Sequence, residues 1–437
     1  MFRVEKVLAV VLIAVLIGVL MYECIMPTGF LYPYLHREEE TPEHRHRLPF
    51  GLFDTASKVG EVLSPYATAW NLHRKVLVSS SSQEYFWVFV YYGYTTEYYE
   101  DYPYTFVAYS SPDGFHWSDK QRLVSYATLD HLDLGQNLDV RWDNELGKAV
   151  VWHGKDDYPY WGRLGLSDGK MIKEKWRCFS CVVNYNPVCC RYAYTSGYFI
   201  VRYQSFHPEI TTKRGDTIAW CNKTWAEYPE SEQKSKSPWS GSGYSSDAGQ
   251  TATFAFYEDK AVFVTVNKDY TLWWGWAYDK DFQQPPEPLN ITISPGYTSL
   301  SGCSEPELNG FGVGKVHIVY IKDNGQLCHM SFDGSSWSGE TVLVEKGASC
   351  PVIACGENGR LYVFYISNGV IKLLKFDGDR WLKKQVQDAF PFHTYNNPAY
   401  LSTNQVVQHG KICLVWTEQN LEGDKPYAVW FGCIEDG

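Results

Sequence analysis

The chain has 437 residues, of which 45% are hydrophobic and 16% aromatic, and its formal net charge is -11. This hydrophobic fraction can bury a large core, which excludes disorder for most of the chain. Aromatic and β-branched residues suit pleated sheets, so the composition favours an all-β fold over a helical one. No nucleic-acid partner is expected, because phosphate binding needs clustered Lys and Arg and the chain has no long basic run.

The first 26 residues predict a segment that enters a membrane. Arg3 and Lys6 precede an apolar run from Val7 to Tyr22, slightly shorter than the roughly 20 residues of a spanning helix. No small-residue cleavage pattern follows, so we predict an uncleaved, single-pass anchor over residues 1–26 with its N-terminus inside. The rest of the chain is then extracellular or envelope-facing. A cleaved signal sequence and a buried core helix are the alternatives.

A polar stalk is predicted over residues 27–66. The stretch from His36 to Pro49 is charged and nearly free of apolar side chains, which is typical of solvated chain. Apolar residues recur at roughly helical intervals from Leu52 to Leu63 and predict one short helix within the stalk. We expect the folded domain to occupy residues 67–437.

Cysteines and glycosylation sequons agree with export. The 12 cysteines predict disulfides in an oxidising compartment, although one cluster of four could instead surround a zinc ion. Its members are Cys178, Cys181, Cys189 and Cys190. Adjacent cysteines on a strand point to opposite faces, so we predict no metal and no cofactor. Asn-x-Thr sequons predict glycosylation at Asn222 and Asn290.

A short sequence motif recurs along the chain: an Asp-Gly turn at a strand end, followed by a Trp three residues after the Gly. Its three copies are Asp113, Gly114 and Trp117; Asp333, Gly334 and Trp337; and Asp377, Gly378 and Trp381. Gly accepts a positive φ and Asp can bond nearby backbone amides, so we predict a structural turn. The Trp is expected to be mostly buried between or beside sheets.

The spacing of these turns predicts a β-propeller. Asp333 and Asp377 are 44 residues apart (333 to 377), and a period of about 40 to 50 residues with several strands per unit is typical of propeller blades. Repeating a unit of this length along the chain predicts seven blades, with six as the alternative. The units are 72–125, 136–182, 186–228, 246–294, 301–346, 349–388 and 395–436. The seventh lacks an outer strand, which residues just before His73 are expected to supply.

The turns resemble the Asp-box of sialidase-like, or neuraminidase-repeat, propellers, whose pattern is Ser-x-Asp-x-Gly-x-x-Trp. Ser111, Asp113, Gly114 and Trp117 match a version one residue shorter, and the other two turns match it without the Ser. The resemblance implies the propeller fold. It also implies that a working sialidase needs three arginines around a substrate carboxylate, a Tyr-Glu nucleophile pair and an acidic proton donor. No arginine lies between Arg214 and Arg360, so sialidase activity is not expected.

A different glycoside hydrolase would need two carboxylates facing each other. In a propeller the ends of the inner strands converge on a central mouth, and several acidic residues fall at such ends. The catalytic candidates are Asp139, Asp143, Asp247, Glu305 and Glu307. The alternative is that these carboxylates cap turns or bond Arg141 and the backbone of the mouth.

The aromatic run from Tyr91 to Phe106 predicts an exposed binding surface, because aromatic rings stack on sugars and on protein partners. The candidate ligand-binding residues are Arg141, Tyr98, Tyr99, Tyr102 and Tyr104. We therefore expect a cell-surface or virion-surface recognition module for a glycan or a protein. A glycoside hydrolase-like enzyme and a structural envelope component are the alternatives.

One disulfide is predicted from symmetry. A turn centred near Gly423 would set Cys413 opposite Cys433 on adjacent antiparallel strands, within the Cα separation that a disulfide tolerates. A one-residue shift in register would put the two thiols on opposite faces and leave them separate.

Overall fold

The computed structural model describes residues 56–69, 74–80, 83–95, 97, 104–126, 138–143, 148–155, 158–178, 200–203, 216–220, 244–246, 248–257, 260–267, 270–278, 281–295, 298–305, 314–383, 386–405 and 407–436. In several strands between residues 141 and 286 only the backbone is described. The predicted anchor and most of the predicted stalk lie outside these ranges. Within them, no helix is both long and apolar enough to cross a bilayer.

The described residues form an all-β structure, as the composition predicted. They contain 27 strands and one short 3₁₀ helix, Glu357–Gly359. All pairs of neighbouring strands are antiparallel, and the strands group into seven sheets, six with four strands and one with three. We number the sheets in chain order.

The first four sheets follow an N-terminal strand, β1 (Ser57–Val62). Sheet 1 contains β2 (Val76–Ser80), β3 (Glu84–Tyr94), β4 (Tyr104–Ser111) and β5 (Gln121–Tyr126). Sheet 2 contains β6 (Leu138–Asp143), β7 (Lys148–Lys155), β8 (Tyr158–Ser167) and β9 (Lys170–Cys178). Sheet 3 contains β10 (Ile200–Tyr203), β11 (Asp216–Trp220) and β12 (Tyr244–Ser246). Sheet 4 contains β13 (Ala248–Tyr257), β14 (Lys260–Asn267), β15 (Thr271–Tyr278) and β16 (Asp281–Thr292).

The last three sheets are described almost completely. Sheet 5 contains β17 (Leu300–Ser304), β18 (Val316–Ile321), β19 (Leu327–Phe332) and β20 (Thr341–Val344). Sheet 6 contains β21 (Ser349–Cys355), β22 (Leu361–Ser367), β23 (Val370–Phe376) and β24 (Gln387–Asp388). Sheet 7 contains β25 (Ala399–Thr403), β26 (Lys411–Gln419), β27 (Tyr427–Glu435) and also β1.

The sheets pack face to face, which explains why many strands are apolar on both faces. Every side chain of β18 is buried. Its residue Ile318 lies in a core with Val264 of sheet 4, while the next residue, Val319, lies in a core with Ile353 of sheet 6. Successive side chains of a strand point to opposite faces. One strand therefore joins two cores, and each fully buried aliphatic side chain contributes about 1.5–3 kcal/mol.

The first strands of neighbouring sheets lie side by side. β13 packs on β17, β17 on β21, and β21 on β25, while β2 packs on β6. Sheet 7 meets sheet 1 where the Lys75 backbone N donates to Ser402 Oγ at 3.0 Å. Apart from β1, each sheet is formed by consecutive strands, and the chain then continues into the neighbouring sheet. This arrangement is typical of a β-propeller.

The N-terminal strand completes the last sheet. β1 pairs with β27 from Ser57 opposite Phe431 to Val62 opposite Tyr427. A segment upstream of the first sheet thus supplies the outer strand as expected, but it lies within residues 27–66, which were predicted to form the stalk, rather than just before His73. The helix predicted from Leu52 to Leu63 is wrong in its described part. A helix this short is marginal alone, whereas pairing with β27 satisfies the backbone and buries Val62 completely.

Candidate functional site

The three Asp-Gly turns have the same geometry. Each lies between the third and fourth strands of its sheet, and the Asp Oδ1 accepts hydrogen bonds from the backbone N of the second and third residues beyond it. Those bonds are 2.8 and 2.8 Å at Asp113, 2.9 and 2.8 Å at Asp333, and 3.0 and 2.9 Å at Asp377. The following Gly has a positive φ of 77°, 93° or 103° at Gly114, Gly334 and Gly378 respectively.

Hydrogen bonding also determines the charge state of the turn carboxylate. Burial alone would raise the pKa of Asp113, but hydrogen bonds from His116, Phe115 and Ser111 outweigh it and lower the pKa to about 2. The Ser111 hydroxyl donates to Asp113 Oδ1 at 3.0 Å and accepts from the Gly114 N at 2.8 Å. The serine of the first turn therefore supports both the aspartate and the glycine.

The tryptophan of each turn packs on the preceding sheet. Trp117 meets Phe431 of sheet 7 with ring centroids 5.1 Å apart. Trp337 meets Trp274 of sheet 4 at 5.8 Å, and Trp381 meets His329 of sheet 5 at 4.9 Å. All three are half-buried, and in each case the partner lies on the third strand of its sheet.

Two of the predicted catalytic carboxylates have described side chains, and each is held in an internal contact. Asp139 is buried on β6, where its Oδ1 accepts from the Arg74 backbone N at 2.7 Å and its Oδ2 lies 3.7 Å from Arg74 Nη1. Arg74 Nε also donates to Gln405 Oε1 at 2.6 Å. This arrangement matches the alternative in which a mouth carboxylate bonds a neighbouring arginine, although the partner is Arg74 rather than Arg141.

Glu305 begins a chain of polar contacts through sheet 5. Its Oε1 lies 3.1 Å from His317 Nε2, and His317 Nδ1 lies 3.1 Å from His329 Nε2. Both histidine side chains are buried. Burial lowers the pKa of His317 despite the Glu305 carboxylate, and burial lowers the pKa of His329 well below its usual range, where a proton on His317 would lower it further. The pair is thus held neutral near pH 7.

The other predicted site residues are not brought together by the described structure. Only the backbone is described for Arg141 and Asp143 on β6 and for Tyr104 at the start of β4. Asn290 lies on β16 and is exposed, with a φ of 57°. The residues outside the described ranges are Tyr98, Tyr99, Tyr102, Cys181, Cys189, Cys190, Asn222, Asp247 and Glu307. Among the described side chains, no group of three or more potential metal ligands converges.

Cys413 and Cys433 are directly opposite each other in the register of β26 and β27. Their Sγ atoms are 3.4 Å apart and buried, and the two thiols are not bonded. The predicted pairing of the two strands is thus confirmed, and the disulfide itself stays a prediction.

A pocket of about 510 Å³ lies where sheets 6 and 7 meet, a size within the range of small-ligand sites. One wall is the turn between β22 and β23 with the end of β24, and the other is the segment that leads into β25. The lining residues are Asn368, Gly369, Val370, Asp388, Phe390, Pro391, His393, Tyr395 and Asn397. We call this the Phe390 pocket.

The floor of the Phe390 pocket is built from stacked rings. Phe390 is fully buried and stacks on Trp416 of β26, with centroids 5.3 Å apart and planes 12° apart. A Cβ on Gly432 would lie 2.1 Å from Phe390 Cζ, so only glycine admits the ring at this point of β27. His393 and Tyr395 pack edge to face at 4.7 Å.

A buried carboxylate orients the pocket histidine. Glu418 Oε1 accepts from Trp416 Nε1 at 2.6 Å and lies 2.9 Å from His393 Nε2, while Oε2 accepts from the Asn396 backbone N at 3.0 Å. An ionised carboxylate only accepts, so His393 Nε2 donates to Glu418 Oε1. The contact therefore fixes the orientation of the imidazole ring.

The sequence had not singled out the Phe390 pocket. Its one sequence signal is the aromatic and Asn-rich stretch from Phe392 to Pro398 just before a strand. Glu418 lies 25 residues from His393, on a strand whose apolar sequence predicts only a core position. Turn chemistry and strand pattern do not reveal that the two meet.

No family model and no curated protein sequence matches the chain. Several solved structures are similar in fold. A lectin from Burkholderia pseudomallei is 11% identical, with a TM-score of 0.44, covering 77% of this chain and 85% of its own. The NanB sialidase from Streptococcus pneumoniae is 11% identical, with a TM-score of 0.41 and coverages of 91% and 72%. The β-propeller domain of the Trilobed protease from Pyrococcus furiosus is 8% identical, with a TM-score of 0.43 and coverages of 84% and 97%. All three TM-scores are below 0.5, and these likenesses assign neither a family nor an activity to the chain.

Proposed function

We propose that this protein is a carbohydrate-recognition module and that the Phe390 pocket is its binding site. The observation that carries the proposal is the composition of that pocket. The half-buried ring of Tyr395 forms part of its wall, and carboxylate and amide groups of Asp388, Asn368 and Asn397 lie at its edge. A sugar offers the complementary chemistry, since a C–H face stacks on an aromatic ring and its hydroxyls bond such polar groups.

The architecture that we propose around this site is a seven-bladed propeller on a membrane anchor. Seven described sheets, six of them four-stranded, support the blade count. The apolar run over residues 1–26, the polar stalk that follows it and the exposed sequon at Asn290 support an extracellular or envelope-facing domain. The proposed module is displayed at the surface of a cell or of a virion.

The hydrolase alternative has less support than binding. Asp139 and Glu305, the two mouth candidates with described side chains, are bonded to Arg74 and His317 respectively. In the Phe390 pocket, Asp388 is the carboxylate among the lining residues, and Glu418 is buried behind His393. A pair of opposed carboxylates facing open solvent, which glycoside hydrolysis needs, is not formed by these groups.

The test is a binding measurement on the purified protein. The propeller would be screened on immobilised fucosides, galactosides, mannosides, glucosides and sialosides, and the best ligand measured by calorimetry. Asp388→Asn should weaken that ligand at least about tenfold, because a hydrogen bond to a charged group contributes roughly 1.5–3 kcal/mol. Asp379→Asn is the matched control, since Asp379 is an exposed carboxylate of the same sheet outside the pocket.

Two results would contradict the proposal. Retention of no glycoside on the array would refute carbohydrate recognition and leave a protein ligand or a structural role. Equal affinities of the Asp388→Asn and Asp379→Asn variants would place the site elsewhere. Release of free sugar from a bound glycoside would instead favour the enzyme alternative.

A further inference from the structure

Two buried cysteines face each other across neighbouring sheets. Cys303 lies on β17, the first strand of sheet 5, and Cys355 ends β21, the first strand of sheet 6. Both side chains are buried, with 2% and 0% exposure. Their Sγ atoms are 2.7 Å apart. This is closer than the roughly 3.5–4.0 Å of ordinary heavy-atom contact, and about 0.7 Å beyond a covalent S–S bond.

The register of the two strands explains why the thiols meet. Two residues earlier on each strand, the Ile353 backbone N donates to Ser301 Oγ at 3.4 Å. The offset between partners is 52 residues at both contacts, so β17 and β21 run in the same direction with a constant alignment. Residues two apart share a face of a strand. The packing of sheet 5 on sheet 6 therefore sets Cys303 opposite Cys355.

We propose that Cys303 and Cys355 form a disulfide that ties sheet 5 to sheet 6 through their first strands. It differs from the predicted Cys413 and Cys433 pair, which would join two strands of one sheet. It needs an oxidising compartment, which is part of the proposed function, and it is independent of carbohydrate binding.

The bond forms by exchange with a small-molecule disulfide such as glutathione disulfide. One cysteine thiolate attacks the carrier disulfide and releases one carrier thiol, which leaves a mixed disulfide. The second cysteine thiolate then displaces the other carrier thiol. Overall, the two cysteines lose two electrons and two protons, and the carrier disulfide takes up both to become two thiols, with the buffer relaying the protons. Because both cysteines are almost inaccessible in the folded domain, exchange takes place before sheets 5 and 6 pack together.

The direct test is a thiol map of the wild-type full chain in detergent. The protein would be folded in a buffer of reduced and oxidised glutathione, blocked with N-ethylmaleimide in denaturant and digested without reduction. We expect a linked peptide pair that contains Cys303 and Cys355. Blocked thiols at both positions, or a link from either to another cysteine, would overturn the proposal. Using a defined redox buffer keeps this result separate from where the protein resides and from whether it binds sugar.

A second test measures coupling between the two positions. Cys303→Ala, Cys355→Ala and the double variant should each lower the Tm of the oxidised protein by a similar amount, roughly 3–6 °C for a bond that closes a loop of this length in a domain of this size. Cys328→Ala, at a buried thiol on β19 of the same sheet as Cys303, is the control. Its loss in Tm should add to the loss of each of the other variants when the substitutions are combined. Additive losses for Cys303→Ala and Cys355→Ala would mean separate thiols and contradict the bond.

Discussion

The Asp113 carboxylate shows how a single residue can define a turn. It accepts two backbone N–H groups in the turn and contacts the His116 ring at 2.6 Å. A charged acceptor makes stronger hydrogen bonds than a neutral one. The ionised form is therefore the form that the folded state favours.

Asp113→Asn should lower the free energy of unfolding by about 1 kcal/mol at pH 7, after allowance for solvent screening at this half-buried group. The pKa of Asp113 is about 2 in the folded state, against 3.8 for a free side chain. Its stabilisation is thus complete above about pH 5 and is lost as the pH falls from about 4 towards 2. Urea unfolding of the variant and the wild type between pH 7 and pH 3 should show the two curves converging below pH 4.

Asp119→Asn is the matched control, because Asp119 is an exposed carboxylate of the same segment. A change within about 0.5 kcal/mol is expected there. A gap between wild type and Asp113→Asn that stays constant down to pH 3 would show that the carboxylate charge plays no part in the turn.

Residues whose roles are local could be predicted from the sequence, and residues whose roles depend on distant partners could not. The Asp-Gly turns are formed within a few residues, so their composition defines them. Asp139 was a catalytic candidate, but its partner Arg74 is 65 residues away. Only the packing of β2 on β6 brings the two together.

At the level of elements, β1 joins the last sheet to the first. Ser57 Oγ donates to the Gly114 carbonyl at 2.5 Å and accepts from Trp117 Nε1 at 3.0 Å. Both partners belong to the first Asp-Gly turn. The outer strand of sheet 7 is therefore fixed to sheet 1 as well as to β27.

Ser57→Ala should lower the free energy of unfolding by about 1–2 kcal/mol, because it removes both hydrogen bonds and leaves the half-buried Trp117 N–H without this acceptor. Chemical denaturation followed by intrinsic fluorescence measures the change. Ser335→Ala is the control, since the exposed Ser335 hydroxyl bonds only its own turn aspartate. Equal losses for the two variants would show that β1 does not hold the junction between sheets 7 and 1.

The pairing of strands could be predicted where both strands belong to one hairpin. The register of β26 and β27 followed from the sequence because Cys413 and Cys433 are equidistant from the turn between them. The segment from Leu52 to Leu63 misled because its apolar spacing fits a short helix, while its strand partner lies more than 360 residues away in sequence. Long-range pairing is invisible to a periodicity argument.

At the level of the whole molecule, the proposed N-terminal anchor predicts on which side of the membrane the propeller lies, and the sequons allow a test. An N-terminus-inside anchor would place the propeller in the secretory lumen during synthesis. Asn290 is exposed on β16 and followed by Ile and Thr. The oligosaccharide transferase could therefore reach it there.

Full-length protein made in a eukaryotic secretory system should carry N-glycans that are removed by a peptide N-glycosidase. Asn290→Gln should abolish one glycan and shift the band on a gel, while Asn324→Gln, at an exposed asparagine outside any sequon, should change nothing. Deletion of residues 1–26 should leave the chain unglycosylated. A full-length chain without glycans that stays in the cytosolic fraction would contradict the proposed orientation.

The position of β1 would have a mechanical consequence for a propeller held by the proposed anchor. The chain from that anchor enters the described sheets at β1, and β25 follows directly after the Phe390 pocket, so the proposed tether and the proposed ligand site would both connect to sheet 7. A pull between membrane and bound ligand would load that sheet first and leave the cores of sheets 4 and 5 under little tension. The chain enters β1 at Ser57, whose hydroxyl is bonded to the turn of sheet 1. Force on the tether would thus be shared between two sheets before the first backbone pair of β1 and β27 begins to peel.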